Sequence, residues 1–252
     1  MLWIQTPRPT RFLLSIPGAL ALAFALNGDT MRAQTERSIP TTPARLAQMQ
    51  HHFLQVTLIH EAMIRGDLPA VRAPARELAR LPAPPDTPVR TAPFVAAIAA
   101  AAARAAEAPD LETAASATSM MLRQCGDCHR SAGIFPAPSA VARPDVGGLV
   151  GHMLEHQRAA DDLLQGLLIP SGSLWQRGAG RLKAAPLRPG DLPVDRAFTA
   201  ELKRTDARVH ALAAAAAAAT DAPARASVYA DLLTTCAQCH GLHRQIWGPR
   251  TK

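Results

Sequence analysis

Cys125-Gly126-Asp127-Cys128-His129 returns 111 residues later as Cys236-Ala237-Gln238-Cys239-His240, and the two copies use all four cysteines of the chain. The flanking residues repeat as well, so whatever fold one half adopts, the other must also accept. At the 111-residue offset Asp110, Ala115, Ser116 and Leu122 fall on Asp221, Ala226, Ser227 and Leu233. Upstream the offset is 104: Met49 and His52 fall on Met153 and His156, and Val71, Ala75 and Leu78 fall on Trp175, Ala179 and Leu182. The difference is placed in the Pro- and Gly-rich stretch 186–193, where a surface loop absorbs length at small entropic cost.

The spacing of the repeated motif carries chemistry. Two thiols three positions apart lie on one side of a helical turn and can each add to a vinyl group of one haem, and the next residue is carried beneath the porphyrin as an imidazole ligand. A redox disulfide or half a zinc site needs no histidine there. A four-cysteine zinc ribbon places its pairs roughly 15 to 20 residues apart, far closer than these. The motifs therefore imply two haem c groups, with Cys125, Cys128, Cys236 and Cys239 as thioether residues and His129 and His240 as proximal iron ligands.

Around the motifs the apolar period is helical. Leu46, Met49, Phe53, Val56, His60 and Met63 follow the three-four spacing of a buried stripe, which Gly66-Asp67 closes. Further helices are predicted over 68–81, 94–107 and 111–129, the last capped by Asp110, and the second half repeats them over 151–169, 173–184, 198–219 and 222–243. Nothing reads as a strand. The expected fold is all-α: two tandem four-helix bundles, 44–135 and 149–246, joined by a linker at 136–148 and each carrying one haem on its last helix. The alanine runs 99–103 and 213–219 are strong helix formers that let helices approach closely.

A four-helix unit with Cys-x-x-Cys-His near the end of its final helix resembles the cytochrome c-prime and cytochrome c556 group, here duplicated. The resemblance covers 46–244. It implies a sixth iron ligand from the first helix of each half, where Met49 and Met153, or His52 and His156, are the candidates. The family register favours the methionines. A buried imidazole without an iron would need a hydrogen-bond partner, which favours the histidines. Met49 and His52 share a helical face, so only one of them need reach the iron. The resemblance also implies a proximal arginine at Arg244, where the first half has Gly133.

The N-terminal residues 1–33 read as an export signal: Arg8 and Arg11 precede an apolar run over 12–26, with cleavage sites near 25 or 33. Pro17 and Gly18 interrupt that run, which is too short to span a bilayer. Later alanine tracts are broken by Arg104, Glu107, Lys203, Arg204 and Asp206, so no transmembrane span is expected in the mature chain. The formal charge of +7 does not indicate nucleic acid: the arginines are scattered, two lie in the signal, and haem propionates would offset others. With aromatic residues at only 4%, bulky core side chains are few and the haems are expected to help fill the interior.

Together these features predict a periplasmic dihaem carrier of single electrons between protein redox partners, not an enzyme. The alternatives are a five-coordinate nitric oxide or carbon monoxide binding protein, a haem subunit of a larger respiratory or photosynthetic complex, and, less favoured, a dihaem peroxidase. A homodimer is compatible with the family. Trp175, Trp247 and Tyr229 are expected to pack. His51, His60, His152, His210 and His243 lack partners in the repeat and are expected at the surface or in ordinary hydrogen bonds.

Overall fold

Thr42 opens the first helix: its hydroxyl accepts the Arg45 backbone N–H at 3.2 Å, and Pro43 takes a first-turn position where a missing N–H costs little. The computed structural model describes residues 42–85, 87–139, 144, 146–184 and 196–247, with nothing given for the side chains of 196–198 and 243–247. The predicted signal lies outside them. The described residues form eight helices and no strand: α1 (Pro43–Arg65), α2 (Leu68–Arg80), α3 (Ala92–Ala106), α4 (Leu111–Ala132), α5 (Gly148–Leu168), α6 (Gly172–Ala184), α7 (Arg196–Ala218) and α8 (Ala222–Trp247). A 3₁₀ turn at Val89–Thr91 leads into α3.

The caps that set these boundaries are local. Asp67 accepts from the Ala70 N–H at 3.1 Å, Asp110 from Thr113 at 2.7 Å, and Asp221 from Ala224 at 2.8 Å, so each aspartate satisfies one orphan donor of a helix start. The two motif helices end differently. Gly133 terminates α4 in the left-handed region at φ 69°, a conformation open to glycine at no Cβ penalty. Its counterpart Arg244 has a Cβ, and α8 continues through it to Trp247. The Arg244 side chain falls outside the described residues.

Each half supplies four helices in the same order, and the described residues between 42 and 247 form one compact unit. Sequence neighbours pack in succession, and the halves meet where α8 lies against α4 and α1 and where α5 lies against α4. Alanine makes close approach possible: Ala101, Ala102, Ala105 and Ala106 of α3 are fully buried, as are Ala114 and Ala115 of α4. Val89–Ala106 is, contrary to expectation, long and apolar enough by composition to cross a membrane, and here it packs on α2 and α4. Trp175 is a packing residue as predicted, fully buried with its Nε1–H donating to the Ala216 carbonyl at 2.7 Å.

Tyr229 and His60 depart from simple packing. Tyr229, wholly buried on α8, donates its hydroxyl to His60 Nδ1 of α1 at 2.7 Å. The opposite ring nitrogen of His60 lies 3.3 Å from the Asp161 carboxylate on α5. Burial, with Asp161 and Cys236 nearby, pushes the phenol well above its ordinary range and keeps it a donor. A polar chain thus joins the two halves inside the core.

Candidate functional site

Gly126 sets the position of the first motif. A Cβ at this point would overlap the Leu167 carbonyl oxygen, so only glycine lets α4 press so closely on the end of α5. Three residues on, His129 places its Nδ1 2.8 Å from the Leu168 carbonyl. That contact assigns the Nδ1 proton to the carbonyl and leaves Nε2 as the acceptor nitrogen. Burial pushes the His129 pKa down, partly countered by this hydrogen bond, so the ring is held neutral.

Cys125, Cys128 and His129 open on a cavity of about 520 Å³, which Met49 and His52 of α1 line as well. The structure therefore brings together every predicted site residue of the first half. Most of the remaining wall is apolar, including Leu46, Phe53, Val56, Val95, Ile98 and Leu168. The His52 Nε2 atom is buried with no hydrogen-bond partner. Burial, then the neighbouring His51 and His129, push its pKa down, so His52 too is a neutral imidazole. The 136–139 end of the predicted linker belongs to the cavity rather than to a free spacer. Ser139 exchanges two hydrogen bonds with the Gln165 side chain, at 2.7 and 2.8 Å, and both residues line the wall.

The thiols carry their own evidence. Burial pushes Cys125 and Cys236 up to about 12, each helped by its partner cysteine, and raises Cys128. Cys239 rises to about 11 through burial and the nearby Asp206 carboxylate. No disulfide joins them. Redox-active dithiols have depressed pKa values, so these pairs are poorly suited to thiol–disulfide exchange.

In the second half His156 of α5 does not stand alone. His152, one turn earlier, has its ring centroid 4.1 Å from that of His156, and its Nε2 lies 3.5 Å from Asp206 Oδ1 on α7. The other Asp206 oxygen lies 3.7 Å from His210 Nε2. The sequence reading assigned His152 and His210 to the surface or to ordinary hydrogen bonds, because they have no counterpart in the repeat, whereas His152 is buried and both face Asp206. The signal was that departure itself: by the two offsets His152, Asp206 and His210 replace Gln48, Val95 and Ala99.

No protein-family model, curated protein or solved structure matches the chain.

Proposed function

We propose that the chain is an exported dihaem c-type cytochrome of two four-helix haem units that carries single electrons between protein redox partners in the periplasm. The first-half cavity carries the reading. Its volume falls within the roughly 300–1,000 Å³ typical of cofactor sites, its wall is largely apolar, and two thiols and two neutral imidazoles open on it. These residues fit a covalent haem. When bound, haem supplies a one-electron iron couple whose potential follows axial ligation, polarity and burial.

Cys125 and Cys128 would hold the group by thioether bonds, and His129 would offer Nε2 to its iron. The Leu168 carbonyl fixes that tautomer and raises the donor strength of the ring. His52 would be the donor that α1 offers to the iron of the first unit, because its buried Nε2 has no hydrogen-bond partner, whereas Met49 needs none. Cys236, Cys239 and His240 take the matching roles in the second unit, where α5 presents both Met153 and His156.

Mature protein should stain for haem peroxidase on a denaturing gel, and a pyridine haemochrome assay should count two haems per chain. C125S/C128S and C236S/C239S double variants should each remove one. A colourless band overturns the proposal. Rapid carbon monoxide uptake by both reduced haems replaces the carrier reading with gas binding.

A further inference from the structure

We infer that His152, His156 and Asp206 form a binding site for a borderline divalent cation such as zinc. One donor atom from each of the three lies within 4.8 Å of the others. The contacts to Asp206, at 3.5 Å and 3.7 Å, are too long for N–H···O hydrogen bonds, which run roughly 2.7–3.2 Å. The first of them, between two of the three donors, is close to the edge of a ligand tetrahedron, about 3.3 Å when metal–donor bonds are about 2.0–2.1 Å.

The electrostatics agree. The Asp206 side chain is only 15% exposed, and among the described residues two imidazoles and no arginine or lysine lie within ion-pair distance of it. The His210 Nε2 atom is buried without a hydrogen-bond partner, beside the Asp206 oxygen that does not face His152. A cation held by Asp206 Oδ1 would leave that second oxygen facing His210. Imidazole and carboxylate donors suit zinc, copper or nickel, whereas magnesium and calcium take all-oxygen shells.

The first half provides the contrast. Its counterparts of Asp206 and His210 are Val95 and Ala99, apolar residues that line the 520 Å³ cavity and offer no donor. The site is therefore confined to the second half, beside the Cys239 sulfur that Asp206 perturbs. It commits His156 to the cation and leaves Met153 as the second unit's donor from α5.

Dialysis of the purified, coloured protein against zinc, followed by metal analysis, should give one equivalent. Asp206→Asn and His156→Ala should each lower uptake at least tenfold, while His51→Ala should leave it unchanged. Equal uptake by Asp206→Asn or His156→Ala overturns the inference, as does the absence of bound zinc. Should these variants fail to fold, zinc-edge X-ray absorption on the unaltered protein decides: a nitrogen and oxygen shell with imidazole scattering supports the site, and an all-oxygen or sulfur shell refutes it. Haem staining of the same sample separates the two hypotheses. A nitrogen shell in colourless protein keeps the cation site and removes the cytochrome.

Discussion

Gly126 is the residue on which the first site turns, because α4 and α5 touch through backbone at that point. Gly126→Ala forces the helices apart and draws His129 from the Leu168 carbonyl. Overpacking of this kind costs about 1–3 kcal/mol, so the denaturant midpoint should fall accordingly. The second copy has Ala237 here, itself buried, so Ala237→Gly should cost helix propensity, about 1 kcal/mol, together with the burial of one methyl. The motif residues were legible in the sequence because the same five-residue spacing occurs twice. The Leu168 carbonyl was not, since a backbone acceptor leaves no mark in residue type.

At the scale of elements, the capping aspartates were readable because each lies immediately ahead of the helix it starts, and no distant residue is involved. Asp110 gives this a pH signature. The Thr113 backbone N–H holds its carboxyl below the ordinary 3.8, so its stabilisation is complete above 3.8 and is lost as pH falls through the lower folded value. Asp110→Asn keeps an acceptor but cannot titrate there. Its melting temperature should therefore decline less than that of the parent protein between pH 4 and pH 2, as followed by circular dichroism. At the other end of α4, Gly133→Ala places a Cβ in the left-handed region and should cost about 1 kcal/mol in a denaturant titration. The differing ends of α4 and α8 follow from glycine against arginine, and that contrast was visible in the repeat.

At the scale of the molecule, self-comparison revealed the two halves but not what binds them. His60 and Tyr229 are 169 positions apart, and by the two offsets their counterparts are Leu164 and Thr118, so neither residue announces the pair. Tyr229→Phe leaves a buried imidazole nitrogen without its donor and should cost about 1–3 kcal/mol. Because the pair bridges the halves, far-ultraviolet dichroism and, on the proposed haem assignment, Soret absorbance should lose amplitude together in that variant. Two separate melts would instead mean that the halves fold independently.

The tether from His129 to Leu168 spans the boundary between the repeats. On the proposed assignment, the electron-donating power of one axial base is set by a neighbour that the first repeat does not own. Any partner that pries the repeats apart would register at the first iron before it disturbed the second, so the duplicated chain has an unequal response to force built into its seam.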